Sequence, residues 1–276
     1  MVDCHMHMVL DGLYWRDAIA RHCPTPDEEW IRGILREYQR QGYTYLRDGG
    51  DRWGVGYAAR AMAAEYGICY RTPGAPLCKA GHYGSFIGKT YGNFKEYAQL
   101  VVQAKQTGAD FIKIMISGLM DFDRFGVLTE PGLEIAEIRE LIHIAHQEGM
   151  AVMAHANGAR TVETAAAAGV DSVEHGAYLD DAALAAMAES GTVWVPTVST
   201  IGNLRGKGRF SEAAVSKILE SALENVRKYT GLLALGSDAG AWAVPHGGQD
   251  EYALLSQAGV TAQRLEQGIS KIQELF

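Results

Sequence analysis

AVMAHANGARTVETAAAAGVDSVEHG (151–176) holds two short apolar runs on either side of an alanine-rich segment. AVMAHANG (151–158) and DSVEHG (171–176) have the length of buried strands. TVETAAAAG between them has helical apolar spacing and ends in Gly. Strand, helix, strand in so short a span makes one βαβ unit, which sets its two strands parallel. The same unit recurs in both directions. VDCHMH (2–7), TYLRDG (44–49), GICYRTPG (67–74) and FIKIMISG (111–118) precede it, and TVWVPTV (192–198) and LLALGSDAG (232–240) follow. Helix-like stretches such as EEWIRGILREYQRQG, EIAEIRELIHIAHQEG and DDAALAAMAESG lie between them. Eight such units predict a parallel sheet closed into a (β/α)8 TIM barrel, for which about 250 residues is typical. A doubly wound open sheet is the alternative, but it would not gather residues from eight strand ends around one centre. With no low-complexity segment, short repeat or linker, the chain reads as a single barrel domain over residues 1–276.

Bulk composition narrows the function classes. Hydrophobic residues make up 47% and charged residues 21%, as in an ordinary globular protein, and the formal net charge is −8. An acidic chain is a poor match for nucleic acid or an anionic membrane, so neither is expected as a partner. No apolar run approaches the roughly 20 residues of a membrane span, and no signal segment precedes the first strand. Cys4, Cys23, Cys69 and Cys78 form no CxxC pair, so reduced thiols and a cytoplasmic location are expected.

A barrel concentrates function at the C-terminal ends of its strands. Those ends carry His5 and His7, Lys113, His155, His175 and Asp238. In VDCHMH the two histidines stand at i and i+2, on one side of a strand. Neutral imidazoles bind zinc-type cations while leaving the metal positive enough for Lewis-acid chemistry. Two dications about 3.5–4 Å apart need a bridging anion. An ammonium at Lys113 would repel them, whereas a carbamate formed with CO2 has the required charge. Asp238 can then orient an activated hydroxide, take its proton and pass it to the leaving group. Each residue alone has a plainer reading: a strand-end histidine as a satisfied polar group, Lys113 as a salt-bridged lysine, Asp238 as a turn cap in GSDAG. Their joint placement favours a metal site.

Taken in order, VDCHMH, IKIMISG, AHANG, VEHGAYLDD, VPT and GSDAG resemble the amidohydrolase superfamily. The nearest branch is that of imidazolonepropionase-like enzymes and Xaa-Pro dipeptidases. The resemblance runs from residue 1 to about residue 260 and implies a metal-dependent hydrolase. It implies that His5 and His7 bind a buried metal, most simply zinc, that His155 and His175 bind a second, and that Asp238 contacts the first. A carbamylated Lys113 would bridge the two. Relatives carry a Gly-Gly-His element that reaches substrate, which points to His82 in AGHYG.

Other signals lead elsewhere. GKT (88–90) lacks phosphate-loop spacing, because three residues rather than four separate Gly84 from Gly88. His143 and His146 lie on a helix face without an HExxH pattern. Arg205, Lys207 and Arg209 form a solvated loop that could meet a substrate carboxylate. His246 in VPHGG is a candidate substrate contact or a loop cap. Asn157 stands where dipeptidases of this branch show tyrosine; its amide can still donate to substrate, but over a shorter reach.

Relatives also build a small β-sandwich from segments flanking the barrel. The chain reads as a barrel without it, by nature or by truncation, and a homo-oligomer would cover the face left open. The expected activity is hydrolysis of an amide, cyclic amide or ester-like bond in a small polar molecule by metal-activated hydroxide. The alternatives are a mononuclear deaminase-like enzyme and a non-catalytic metal-binding barrel. Substrate choice is expected to reside in loops 75–95, 119–131 and 199–212.

Overall fold

A computed structural model describes residues 1–247 and 250–276. Its strands are β1 (Val2–Met6), β2 (Tyr45–Asp48), β3 (Cys69–Arg71), β4 (Leu77–Lys79), β5 (Lys89–Tyr91), β6 (Ile112–Met115), β7 (Val152–Ala156), β8 (Ser172–His175) and β9 (Val193–Val195). Every pairing between them is parallel, in the orders β1-β2-β3 and β5-β4-β6-β7-β8-β9.

Backbone hydrogen bonds join these two arcs into a ring. β3 and β4 are successive parts of one chain path broken at TPGAP (72–76). Pro73 and Pro76 cannot donate to a ladder, so pairing lapses there. Across the break the Asp110 amide donates to the Thr72 carbonyl at 2.9 Å, just before β6. On the other side, residues 232–240 run between β9 and β1. The Trp194 amide donates to Leu232 O (2.9 Å), the Cys4 amide to Leu235 O (2.8 Å) and the Asp238 amide to His5 O (2.6 Å). The predicted eighth strand is thus a seam of single bridges that closes the barrel. β5 lies outside the eightfold alternation: the predicted loop 75–95 contains β4 and β5, and Lys89 and Thr90 of GKT sit on a strand with no helix at its start.

Period-two alternation sorts the strand residues. Ile112, Ile114, Val152, Ala154, Ala156 and Val173 face outward and pack on Ile138, Leu141, Ile142, Val162 and Ala165 of the covering helices. Those helices, Ile135–Gln147, Ala159–Ala167 and Asp181–Ser190, lie where the 3.6-residue spacing predicts them. Asp180 caps the last of them by accepting from the Ala183 amide. One end of the barrel interior is plugged by Cys4, Tyr45, Phe111, Met153 and Val193 against Ile272 and Phe276. Above this plug the interior turns polar, with Arg47, Lys113, His5, His155 and Glu174 all buried. Among the described residues no helix is long and apolar enough to cross a membrane, and all four cysteines are free.

Candidate metal centre

The strand ends bring the predicted histidines into one chain of ring contacts. Centroids of His7 and His5 lie 5.3 Å apart, His5 and His175 5.0 Å, and His175 and His155 4.6 Å. Asp238 enters from the closing seam. Its Oδ1 is 3.4 Å from His5 Nε2 and 3.3 Å from His7 Nε2, and its Oδ2 is 4.0 Å from His175 Nδ1. His5, His175 and Asp238 each offer a ligand atom within 4.8 Å of the others. Lys113 is buried in the same interior, and its Nζ has no hydrogen-bond partner among the described residues.

Three of the four imidazoles are held from behind by a partner outside the cluster. His5 Nδ1 lies 2.7 Å from Glu174 Oε2; a carboxylate only accepts, so Nδ1 carries the proton and Nε2 is a lone pair. His175 Nδ1 is 2.7 Å from the Thr197 hydroxyl. His155 Nε2 sits 3.2 Å from the Gly118 carbonyl and 3.3 Å from Asn157 Nδ2, and a proton on Nε2 for the carbonyl would leave Nδ1 as the lone pair. Burial lowers His5 and His175 well below the usual imidazole range and brings His7 and His155 to about 3, with the Lys113 charge adding to the effect on each. All four are neutral, as metal ligands must be.

Burial also acts on the two non-histidine groups. It pushes the Lys113 ammonium down towards the neutral amine and the Asp238 carboxyl up, the lysine charge opposing the latter. His5 Nε2 lies 3.4 Å from both Asp238 Oδ1 and His7 Nε2, and among the described residues Asp238 Oδ1, His7 Nδ1 and Lys113 Nζ are buried without hydrogen bonds. Lone pairs held at this range repel unless a cation or proton lies among them. The donor set, neutral nitrogen plus carboxylate oxygen, suits a zinc-type cation.

Backbone strain gathers at the same place. His175 (φ 68°), Thr197 (φ 47°) and Asp238 (φ 57°) are non-glycine residues in the left-handed region. That costs about 1–3 kcal/mol each and persists only where surrounding contacts dictate it. Glycine is required at position 49, where a Cβ would stand 2.1 Å from His7 Cε1. Gly49→Ala should therefore leave the fold intact but displace the His7 ring and weaken metal uptake, read by metal titration beside circular dichroism. Unchanged uptake would mean that His7 is not a ligand.

The remaining predicted residues divide. The Asn157 amide is taken up inside the protein: Nδ2 donates to Gly118 O at 3.0 Å, and Oδ1 accepts from the Ala177 amide at 2.9 Å. Both nitrogens of His246 are engaged too, with Tyr38 Oη at 3.1 Å and Leu10 O at 2.9 Å. These two side chains brace loops around the mouth. His82 is part-exposed, with Nδ1 3.8 Å from Glu130 Oε2. His143 and His146 stay on the outer helix, where His146 pairs with Asp171 at 2.7 Å.

Sequence reasoning passed over Arg47, Glu174, Thr197 and Tyr83. Tyr83 packs its ring 4.9 Å from that of His155. Its phenol is held protonated by burial, with the Asp238 charge adding to this, and no acceptor for its hydroxyl is found among the described residues. Over the mouth, loops 119–131 and 199–212 meet where Phe122 stacks on Phe210 at 4.5 Å. Arg209 lies over the rings of Phe210 (5.3 Å) and Trp242 (4.7 Å).

Comparison with known proteins gives this arrangement a context. Residues 1–269 match the model of the amidohydrolase family. Ochratoxinase from Aspergillus niger is 26% identical over 267 residues, covering 85% of this chain and 55% of that protein. The match thus spans between about a third and about half the length of the curated relatives. A Xaa-Pro dipeptidase crystallised with methionine in its active site superposes with a TM-score of 0.78 at 23% identity, over 100% of this chain and 75% of that one. The crystal structure of the A. niger ochratoxinase superposes with a TM-score of 0.73 at 23% identity, over 99% of this chain and 69% of that one.

Proposed function

The chain belongs to the amidohydrolase family, and from that premise we propose that it is a binuclear metal-dependent hydrolase of amide, cyclic amide or ester-like bonds in small polar molecules. The observation that carries this reading is the convergence of His5, His7, His155, His175 and Asp238 at one buried site, with Lys113 Nζ and Asp238 Oδ1 lacking a hydrogen-bond partner among the described residues. His5 and His7 would hold one cation, His155 and His175 the second, and Asp238 would touch the first. Bound cations would polarise the scissile carbonyl and lower the pKa of a water towards about 7.

The chain's own groups supply the rest. Lys113, with an unpartnered Nζ pushed towards the neutral amine by burial, is poised to attack CO2. An N–C bond forms, one proton leaves, and the product carries a carboxylate able to serve two cations. Asp238 takes a proton from the attacking water and returns it to the leaving nitrogen or oxygen. The Tyr83 phenol, beside His155 and without a hydrogen-bond partner among the described residues, can donate to a substrate oxygen in place of the occupied Asn157 amide. His82, part-exposed, would be a substrate contact. The relatives' names, a dipeptidase and an ochratoxinase, support an amide substrate. Acyl-amino acids, dipeptides, hydantoins and lactones form the substrate panel.

A mononuclear, deaminase-like site is the second reading. It is favoured by the close trio His5, His175 and Asp238, which alone could hold one ion. Metal analysis separates the two readings, with two zinc equivalents per chain expected for the first and one for the second. Protein equilibrated with ¹³C-labelled CO2 and zinc should give one carbamate carbon signal that Lys113→Ala abolishes, together with at least one metal equivalent. Two bound metals without a carbamate signal would defeat the bridging role of Lys113.

A further inference from the structure

Beneath the histidine cluster lies a closed polar relay that touches the proposed centre through His5 alone. Glu174 is fully buried, and its two carboxylate oxygens are divided between different partners. Oε2 faces His5 Nδ1 at 2.7 Å. Oε1 accepts from Arg47 Nη2 at 2.8 Å and from the Ser172 hydroxyl at 2.6 Å. Arg47, equally buried, also donates through Nε to Cys4 O at 2.6 Å and through Nη1 to Ser172 Oγ at 3.0 Å. Its guanidinium lies 4.4 Å from the Phe276 ring centroid. Arg47 thus has no freedom to turn away, and it presents N–H donors to one side of Glu174 under any protonation state of the site.

We infer that Glu174 is a positioning residue, locked by Arg47 and Ser172, whose carboxylate holds the proton of His5 on Nδ1 and so keeps the Nε2 lone pair directed at the metal centre. The inference rests on the metal-binding reading above. It makes a specific statement about glutamine, which has nearly the same shape. The Arg47 and Ser172 donors require an acceptor at the Oε1 position. A glutamine must therefore place its carbonyl oxygen there and turn its NH2 group towards His5. A ring nitrogen facing an N–H donor must be a lone pair, so the proton of His5 moves to Nε2, pointing into the site. Shape is conserved, but the ligand is inverted. Loss of such an outer partner typically weakens metal binding about 10–100-fold.

The test uses the full 276-residue chain, metal-free and then titrated with Co(II), whose visible absorption reports binding. Nitrogen-15 correlation spectra of the imidazoles, with His5→Gln to assign the His5 signals, give the tautomer. Expected are protonated Nδ1 in the parent, protonated Nε2 in Glu174→Gln, and Co(II) affinity 10–100-fold lower in the variant. Glu174→Asp, which keeps the charge, should keep the parent tautomer. A parent spectrum with His5 protonated on Nε2 overturns the inference even if no variant folds. So does a Glu174→Gln protein that keeps the parent tautomer and affinity. A parent with the expected tautomer that takes up no Co(II) overturns the metal-binding reading itself, and the positioning role falls with it.

Discussion

Asp238→Asn is expected to lower kcat by about 10²–10⁴-fold while most of the metal stays bound. As a ligand, Asp238 is one of several groups around the centre, and its Oδ1 lies 3.3–3.4 Å from two imidazole nitrogens. As a proton carrier it stands apart from the other buried acids, which are tied up elsewhere: Asp3 with Ser237, Asp48 with Thr72, Asp51 with the Val55 and Gly56 amides, Glu174 with His5 and Arg47, and Glu251 with Ser199. An amide keeps the shape and one acceptor oxygen but cannot accept and return a proton at neutral pH. His155→Asn should behave differently and lose metal and activity together, because that ring has no second task. Metal content and turnover are measured on both proteins with whichever member of the substrate panel is cleaved. If Asp238→Asn retains its metals and turns over within a factor of about three of the parent, proton transfer must be assigned elsewhere.

Arg47→Met should produce the largest loss of stability. The substitution removes the cation from a buried pair and leaves the Glu174 carboxylate without charge compensation, at a typical cost of about 3–5 kcal/mol. The Arg47→Met/Glu174→Leu double variant removes both charges and is expected to recover much of that loss, since a buried pair and an apolar pair of similar volume are often nearly equivalent. It should not recover metal binding, because His5 Nδ1 then has no acceptor. Urea unfolding of the metal-free proteins measures the first effect and Co(II) titration the second. A single variant destabilised by less than about 1 kcal/mol would mean that Glu174 is neutralised another way.

What could be read from the sequence follows from which physical signals are local. Strand-to-helix alternation is local, and it located the barrel strands, the seam at 232–240 and the covering helices. The histidines and Asp238 stood out because a strand end in a barrel has a known destination. β4 and β5 escaped notice because neither lies in an apolar run: β4 follows Pro73, Gly74 and Pro76 and ends in Lys79, and β5 follows Gly88 and opens on Lys89 and Thr90. Arg47 and Glu174 escaped notice for a different reason. A charged residue within a short strand ordinarily points to solvent, and their burial depends on a partner 127 positions away. The Asn157 amide looked available for substrate because its acceptor, the Gly118 carbonyl, belongs to another strand end 39 positions earlier.

The seam between the first strand and residues 232–240 has a consequence for the timing of synthesis. Asp3 accepts from the amide and hydroxyl of Ser237, a separation of 234 positions, and His5 meets Asp238 across the same join. A ribosome adding about 5–20 residues per second makes the HxH segment roughly ten to fifty seconds before the carboxylate that completes its surroundings. Throughout that interval β1 has an open edge and its histidines lack their acidic neighbour. Long-range closure of this kind is slow compared with local helix formation. Closure of the ring is thus deferred until the seam arrives, and the junction of Asp3 with Ser237 and of His5 with Asp238 is a late event.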